Sequence, residues 1–440
     1  MHVVGGVLPS LGWGILTAVQ ITTAFCKAAA IAHQIALERA KYLDEHFATK
    51  KVTIGPLHGL PISLKDQFHV KGVDTTMGYV GWIGSNLGIA DPSQAHQVKS
   101  HITTDLLSLG ADCKTSPPQP PCGGSSGGEG ALLTLGGSSL GVATNISGSV
   151  CNPAAFNSVF GLKPTPEHLS YRDAANTNPG QNTYRSAVGF LHLAHGAAAG
   201  PALDPLCSAL APGSGHRAHP LPPACRGRTD GIMRPHPPIH RGLKMVAEAV
   251  KQAGHVVDWT PPAHSRAVAI HLDLTGEPLL QPKAVLRPPS SLLEYQAATL
   301  EGLAYEFEYS DYWNSTANED AENNTGQVVD AVIMPVAPHA AVIPGKFYHT
   351  AINVLNYSST VIPVTKADMH LDAGSGSGLS SSYEPLSPIG KLNWDANDAE
   401  KYYGGLVGVQ AVARKFEEEK VLAIAGIVAA ALRAYDGGRG

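Results

Sequence analysis

The sequence predicts an α/β fold in which a mixed β-sheet carries helices on both faces. Segments with helical periodicity alternate along the chain with short apolar runs that are typical of strands, which is the pattern of such layered folds. The chain has 440 residues, of which 43% are hydrophobic and 15% are charged, and this is enough for a large buried core. Length alone would suggest two or three domains, although that guide is a soft one.

Short apolar segments carry the strand predictions. The predicted strands are Ile62–Lys65, Ala111–Thr115, His255–Trp259, Ala331–Met334 and Leu406–Val412. Short apolar runs bounded by turn-forming residues are typical of buried strands. Lys65 stands out at the end of the first strand, because lysine is rarely fully buried unless it has a partner. The next residue, Asp66, is either that structural partner or an acceptor for nearby backbone N–H groups.

Helical segments are predicted between these strands. They are Leu16–Lys27, Ala36–Phe47, Ser93–Gly110, Arg241–Gly254, Leu292–Tyr312 and Glu417–Leu432. In the fourth of them, Leu243, Val246 and Val250 recur at helical spacing and form one apolar face. Gly254 then falls just after the helix end, where glycine is favoured because it adopts positive φ easily.

Composition and charge argue against several classes of function. The formal net charge is −5 and the pI is about 6.5, and no basic patch suggests a nucleic-acid partner. Met1–Leu16 is apolar but lacks a basic n-region, so we expect no signal peptide, and no apolar run is strong enough for a transmembrane helix. Six scattered cysteines without a CxxC pair favour free thiols in a reducing compartment. These features predict a cytoplasmic protein with no membrane partner.

The stretch Gly123–Lys163 holds the strongest functional signal. Two serine-bearing turns, Gly123–Gly128 and Ser147–Ser149, lie in it on either side of a small-residue, apolar run. Glycine lets the backbone approach a ligand closely, and serine becomes a nucleophile when a base takes its proton. No histidine lies inside the stretch, and the nearest upstream candidate for the base is Lys65. A phosphate-binding loop is disfavoured because no Gly-Lys-Ser/Thr sequence follows the glycines.

This stretch resembles the amidase signature family, and within it the acetamidase-like amidases. The resemblance rests on GGSSGGEGALL, LGVATNI, PAAF and GLKPT, preceded upstream by GPLHGLPISLKD. It reappears at Asp230–Pro238, at Asp330–His339 and at Leu406–Gln410. An ordered set of motifs is far more specific than a single glycine motif. The resemblance implies one α/β domain over residues 1–440, with the amidase signature fold.

Matching the motif position by position, the resemblance implies Ser149 as nucleophile, Ser125 as the bridging serine that also contacts substrate, and Lys65 as base. Ser149 follows Ser125 by 24 residues, as in the ungapped family motif, which favours Ser125 over Ser126. In isolation, these residues would be interpreted as turn serines and a surface lysine, and only their joint placement supports catalytic roles. A lysine must be uncharged to accept a proton, so its pKa has to fall by several units.

The resemblance further implies an oxyanion hole made by backbone N–H groups. The residues concerned are Ile146, Ser147, Gly148 and Ser149. A cis peptide bond is expected between Gly124 and Ser125. The implied reaction cleaves a small-molecule carboxamide to a carboxylate and ammonia or an amine, through an acyl-enzyme. No cofactor and no metal are implied, and a homodimer is an expected state because dimers are common among similar enzymes.

Two departures lie inside the motif itself. The family usually has Thr-Asp-Ile-Gly-Gly-Ser-Ile-Arg where this chain has TNISGSVC, so the Asp is replaced by Asn145 and the Arg by Cys151. If those two residues interact in the family, both partners have changed together and no buried charge is stranded. Ser147 replaces a glycine in the oxyanion turn, and positive φ at that residue would strain a serine by about 1–2 kcal/mol. Either change is expected to lower activity while leaving the triad in place.

Other departures lie outside the motif. The proline-rich residues 116–121 stand where the family has a longer interval that carries a strand and a helix. An irregular Pro/Ala/Gly-rich tract follows at about 190–229, and residues 374–382 form a Gly/Ser linker. A piece of chain also looks missing at Ala32–Glu38, where two helices that the family separates follow each other directly. The two apparent deletions, the irregular tract and the altered oxyanion turn support an alternative hypothesis, a catalytically impaired or inactive family member whose chain is truncated or misread and whose role is binding or vestigial.

Overall fold

A seven-stranded mixed sheet forms the centre of this protein in the computed structural model. The structure describes residues 41–52, 62–70, 122–134, 140–176, 185–192, 233–255, 291–317, 328–340, 351–373 and 388–435, together with residues 54, 75–77, 138, 180, 182, 267 and 385. Of residues 388 and 389 it describes the backbone alone. The strands are β1 (Ile62–Leu64), β2 (Leu140–Asn145), β3 (Phe160–Lys163), β4 (Ala187–His192), β5 (Val332–Pro335), β6 (Ser358–Lys366) and β7 (Leu406–Ala413).

The strand order places the two segments that lead to the candidate site next to each other. The order is β1-β2-β4-β3-β6-β7-β5. β1 and β2 run parallel, with Ile62 opposite Leu140 and Leu64 opposite Val142, whereas the other pairs are antiparallel. Because parallel neighbours end at the same edge of a sheet, the chain leaves β1 and β2 on one side of the molecule.

Helices cover both faces of this sheet. The named helices are α1 (Gly127–Thr134), α2 (Cys151–Phe156), α3 (Pro237–Gln252), α4 (Leu292–Ser315), α5 (Ala351–Val354), α6 (Pro388–Asp395) and α7 (Glu418–Ala434), and residues 41–50 are also helical. Ile362 of β6 points to the core beneath α3 and α7, whereas its neighbour Val361 points to the core beneath α1 and α2. The predicted fold class, a mixed sheet with helices on both faces, is confirmed.

Several elements occur where the sequence predicts them. The bounds of β1, β7, α4 and α7 agree with the predicted segments to within three residues at either end. Gly254 has φ +91° shortly after the end of α3, as expected for the glycine that follows a helix. Several predicted elements lie outside the described residues: the helices Leu16–Lys27 and Ser93–Gly110, the strand Ala111–Thr115, residues 256–259 of the strand His255–Trp259, and the linker at 374–382.

Three boundaries differ from the predictions. α3 begins at Pro237 rather than Arg241, because proline suits the first helical turn, where its missing N–H is not needed. The tract predicted to be irregular from 190 begins as strand, since residues 190–192 complete β4 and pair with both β2 and β3. The prediction was wrong for these residues, and 193–229 lie outside the described residues. β5 includes Pro335, which is tolerated because β5 is an edge strand.

Candidate active site

Lys65 follows β1 directly and lies in the interior, with 6% of its surface exposed. Its backbone N–H donates to the Val142 carbonyl at 2.9 Å, which continues the pairing of β1 with β2 by one residue. Its Nζ lies 2.5 Å from Ser125 Oγ. A buried amine that faces a serine hydroxyl at this distance can exchange a proton with it once the amine is uncharged.

Asp66 anchors the chain that leaves Lys65. Its Oδ2 accepts hydrogen bonds from the N–H and hydroxyl of Thr76 and from the N–H of Met77, at 3.2, 3.0 and 2.7 Å. Of the two roles expected for Asp66, acceptance from the backbone is confirmed. These bonds hold residues 75–77 against the end of β1, and so fix the path of the chain beside Lys65.

The turn that carries Ser125 is tied to the turn that carries Ser149. Ser126 N–H donates to the Ser149 carbonyl at 3.2 Å, and the Ser126 hydroxyl donates to the Thr144 carbonyl at 3.3 Å. The peptide bond between Gly124 and Ser125 is cis, as expected. α1 begins directly after Ser126 and packs on β2, the strand that leads into the second turn. The sheet and α1 therefore hold both serine turns at one place.

The predicted oxyanion residues, Ile146–Ser149, form the turn between β2 and α2. Gly148 is buried and has φ +111°, whereas Ser147 does not have positive φ. The strain expected at Ser147 is therefore absent, because the glycine retained at 148 takes the conformation that L side chains rarely adopt. Asn152 N–H donates to the Gly148 carbonyl at 2.9 Å and closes the turn onto α2. Ile146, Ser147 and Ser149 are partly exposed.

Neutral groups occupy both positions at which the family usually has an acid and an arginine. Asn145 Oδ1 accepts from Val150 N–H at 3.0 Å, and Asn145 Nδ2 donates to Asn353 Oδ1 at 2.6 Å. Cys151 Sγ lies 3.6 Å from Ser359 Oγ, and burial raises the pKa of this thiol. Neither Asn145 nor Cys151 therefore brings a charge into the core, as expected if the acid and the arginine of the family were lost together.

A buried lysine of the GLKPT motif lies near Cys151. Burial lowers the pKa of Lys163, at the end of β3, to about 8, and the negative charge of Glu418 opposes that shift. Glu418 Oε1 accepts from Thr165 N–H at 2.6 Å, and its Oε2 lies 2.9 Å from His168 Nδ1. This network joins the chain after β3 to the start of α7.

A second polar group lies beside the end of β2. The Thr144 hydroxyl donates to Gln67 Oε1, and Gln67 Nε2 donates to the Ala175 carbonyl at 3.0 Å and to the Tyr171 hydroxyl at 3.3 Å. Burial raises the pKa of Tyr171. Sequence reasoning singled out neither Gln67 nor Tyr171 for a role. No local signal marks them, because Gln67 follows β1, Tyr171 follows β3, and only the folded chain brings the two together.

The two downstream motifs that contain His236 and His339 meet in the fold. His236 N–H donates to the Pro338 carbonyl at 2.7 Å, and its Nε2 lies 2.7 Å from the Asn393 carbonyl. Burial lowers the pKa of His236 to about 4. The His339 ring stacks on Phe156 of α2, with 6.1 Å between the ring centroids. The motif with His339 therefore packs on α2, and the motif with His236 is bonded to it.

Comparison with known proteins identifies the class that this fold and site define. The family model described as Amidase matches residues 18–105 and 117–194, which contain Lys65 and both serine turns. The chain belongs to the amidase signature family, and it is a hydrolase that acts on carbon–nitrogen bonds in amides. The match is interrupted between 105 and 117 and ends at 194, close to the departures noted at 116–121 and from 190.

Two fungal acetamidases are similar over most of their length. An acetamidase of Aspergillus oryzae is 36% identical over 496 aligned residues, which cover 94% of this chain and 87% of the relative. An acetamidase of Emericella nidulans is 34% identical over 491 residues, covering 94% and 86%. The first alignment is longer than the 440 residues of this chain, so that relative contains segments with no counterpart here. Among solved structures, a fatty acid amide hydrolase has the same fold, with a TM-score of 0.71 and 21% identity over 97% of this chain and 84% of that one.

Two further findings concern membranes and metals. Within the ranges that the structure describes, no helix is long and apolar enough to cross a membrane. The described part of the chain also contains no group of three or more His, Cys, Asp or Glu residues arranged to hold a metal ion.

Proposed function

We propose that the chain hydrolyses a carboxamide through an acyl-enzyme, with Ser149 as nucleophile, Ser125 as bridging serine and Lys65 as base. The observation that carries the proposal is the 2.5 Å separation between Lys65 Nζ and Ser125 Oγ, at a lysine that is almost completely buried. The proton transfer from Ser149 to Ser125 is supported by the bond from Ser126 N–H to the Ser149 carbonyl, because this bond keeps the two serine turns adjacent.

Acylation begins with proton transfer along the serine pair. Uncharged Lys65 takes the hydroxyl proton of Ser125, while Ser125 takes the hydroxyl proton of Ser149. Ser149 Oγ then forms a bond to the amide carbon, and the carbonyl electron pair moves onto the oxygen. The burial of Lys65 supports this role, because removal of an ammonium group from water disfavours its charged form.

Backbone donors stabilise the oxyanion in the proposed mechanism. They are the N–H groups of Ile146, Ser147, Gly148 and Ser149. The φ of +111° at Gly148 supports the assignment, because an abrupt change in backbone direction lets successive N–H groups converge on one anion. These donors contribute most when negative charge has developed on the carbonyl oxygen. They therefore raise kcat, and displacing them should lower it.

Collapse of the intermediate reverses the proton flow. The ammonium of Lys65 returns its proton through Ser125 to the leaving nitrogen, the C–N bond breaks, and ammonia or an amine departs. Water then attacks the acyl group, giving its proton by the same route to Lys65. When the Ser149–acyl bond breaks, that proton returns to Ser149 Oγ, and the acid leaves as a carboxylate after losing a proton to solvent.

Small carboxamides are the substrate class that we propose. The relatives in Aspergillus oryzae and Emericella nidulans are named acetamidases, so acetamide is the first substrate to test. Independence from cofactors and metals belongs to the same proposal, and so does a homodimeric state. The absence of nucleic-acid and membrane partners and the cytoplasmic location, expected from charge, hydropathy and cysteine pattern, stay predictions.

Ammonia release from acetamide tests the assignment. We expect Ser149→Ala to abolish release, whereas Ser170→Ala, at an exposed serine after β3, leaves it unchanged. Intact-mass spectrometry of acid-quenched wild-type protein should detect an acyl adduct that the Ser149→Ala variant lacks. Equal ammonia release by wild type and Ser149→Ala would refute the role of Ser149.

One observation favours the alternative, an impaired family member. The acetamidase of Aspergillus oryzae contains segments that this chain lacks. One of the reasons given for that alternative, strain at Ser147, does not hold, because Ser147 does not have positive φ. No ammonia release from a broad panel of amides, by a protein whose circular dichroism shows a folded α/β domain, would favour the impaired form.

A further inference from the structure

We propose that Asn353 is a positioning residue for the oxyanion turn and that it acts through Asn145. The inference rests on the proposed function, in which N–H groups of residues 146–149 stabilise the oxyanion. Asn353 lies in α5, 208 residues further along the chain than Asn145. The turn would therefore take its shape from a distant part of the chain as well as from β2 and α2.

The side chain of Asn145 closes the oxyanion turn at its base. Its Oδ1 accepts a hydrogen bond at 3.0 Å from the N–H of Val150, the first residue after the turn. The four residues between these two positions, Ile146–Ser149, are the ones assigned to the oxyanion hole. This bond joins the two ends of the turn, and together with the bonds to the Gly148 and Ser149 carbonyls it constrains the direction of the N–H groups inside.

The orientation of the Asn145 amide follows from its partners. The Val150 N–H is a donor, so the atom that faces it must be the carbonyl oxygen of Asn145. The amide nitrogen then points the other way, to Asn353 Oδ1 at 2.6 Å. Asn145 is 2% exposed and Asn353 is 8% exposed, so water does not compete freely for these groups. Asn353 thus fixes the rotation of the amide that closes the turn.

Asn353 is supported by a buried cluster of aromatic and aliphatic side chains, called here the aromatic cluster. Its neighbours in α5 and after it are buried in one apolar cluster with α4, in which the ring of Tyr357 lies edge-on to the rings of Tyr309 and Trp313 at 5.8 and 5.6 Å. The Trp313 indole N–H donates to the Val329 carbonyl at 2.9 Å. A polar group mounted on such a segment keeps its place, as the support of a catalytic group must.

Loss of the Asn353 oxygen would release the turn. Asn145 Nδ2 would be left in the interior without its acceptor, and the amide would rotate or shift to find another. Because the same amide holds Val150 N–H, the N–H groups of the turn would move with it. Displacement of catalytic groups by about 1 Å lowers the rate by about a hundredfold, so we expect a loss in kcat of about tenfold to a hundredfold.

The test compares variants of Asn353 with acetamide as substrate. Asn353→Leu has a similar size but no acceptor, and it should lower kcat by about tenfold to a hundredfold while KM changes less than about threefold. Asn353→Asp retains an oxygen at the same place and should recover kcat to within about fivefold of wild type. If Asn353→Leu does not fold, Asn353→Ala replaces it, since alanine also lacks the acceptor.

A matched control separates positioning from packing. Ile352→Val loosens the same buried segment without touching the hydrogen bond, so it should lower the thermal midpoint and leave kcat unchanged. A wild-type kcat in Asn353→Leu, or an aspartate variant as slow as the leucine variant, would overturn the inference. Ser149→Ala is assayed in parallel: if it retains full activity, the proposed function itself has failed, whereas its inactivity beside an unaffected Asn353→Leu rejects only the role of Asn353.

Discussion

Gly148→Ala is the substitution that most directly tests the geometry of the oxyanion turn. A β-carbon at Gly148 would lie 2.5 Å from Asn152 Nδ2 and 3.3 Å from Asn152 Cγ. Asn152 is 2% exposed and its side chain has little room to withdraw. The backbone φ of +111° is a second cost, because an L side chain rarely adopts it. In Gly148→Ala, the oxyanion turn and the Asn152 side chain therefore both have to shift.

The size of the effect can be worked out from these two causes. Unfavourable backbone conformation costs on the order of 1–3 kcal/mol, and overpacking of a buried site costs about the same again. We expect the free energy of unfolding to fall by about 2–6 kcal/mol, measured by denaturant titration. Because the N–H groups of the turn move, kcat for acetamide should fall by about 10²–10³-fold, the loss that follows removal of an oxyanion donor.

The chain offers a matched control for each cause. Gly254 has φ +91° with nothing within 4 Å of an added β-carbon, so Gly254→Ala isolates the backbone cost and should leave kcat unchanged. Adding Asn152→Ala to Gly148→Ala removes the close contact and should restore part of the stability, relative to Asn152→Ala alone. Wild-type kcat in a destabilised Gly148→Ala variant would refute the assignment of the turn. A stability loss no larger than that of Gly254→Ala would refute the argument from Asn152.

Three further predictions concern the base, a buried histidine and the aromatic core. Lys65→Met should lower kcat by about 10³-fold or more. Lys391→Met, at an exposed ion pair, should not change kcat. A kcat of Lys65→Met within tenfold of the wild-type value would contradict the role of Lys65 as base. The folded chain protonates His236 only near pH 4, whereas the unfolded chain does so near 6.5, so the free energy of unfolding should fall by about 3 kcal/mol as the pH decreases across that window. Denaturant titrations of His236→Gln should lack this part of the decrease, and an unchanged pH dependence would speak against it. Trp313→Ala, at a side chain 1% exposed, should lower the free energy of unfolding by about 3–5 kcal/mol. A loss below 1 kcal/mol would show that the aromatic cluster is not rigid.

Local patterns account for the parts of the fold that the sequence predicts well. β1 is short and apolar and is followed by a lysine, and α4 begins with Ser291 and Glu294 in a capping box, so both starts are encoded within a few residues. Gly254 after α3 is equally local. The family motif carries Lys65 and Ser125, which lie within hydrogen-bond distance of each other. Their roles in catalysis stay predictions until activity is measured.

Contacts between distant segments could not be predicted in this way. Residues 190–192 stand at the start of a tract rich in Ala, Pro and Gly, and they form strand because β2 and β3 supply partners on both sides. The φ of Ser147 depends on the whole turn, in which Gly148 takes the left-handed position. The role proposed for Asn353 could not be predicted either, because its hydrogen bond to Asn145 exists only once the fold brings α5 to the end of β2.

The residues that would perform the chemistry and those that would hold them in place belong to different parts of the sequence. Lys65, Ser125 and Ser149 lie within the range that the family model matches, whereas Asn353 and Glu418 lie well beyond its end at 194. Asn353 reaches the oxyanion turn through Asn145, and Glu418 binds the chain after β3 through Thr165 N–H. On the proposal made for Asn353, an intact motif alone would not make this chain active. A chain that kept the motif but lost the downstream support would retain the nucleophile and lose the geometry that makes it effective.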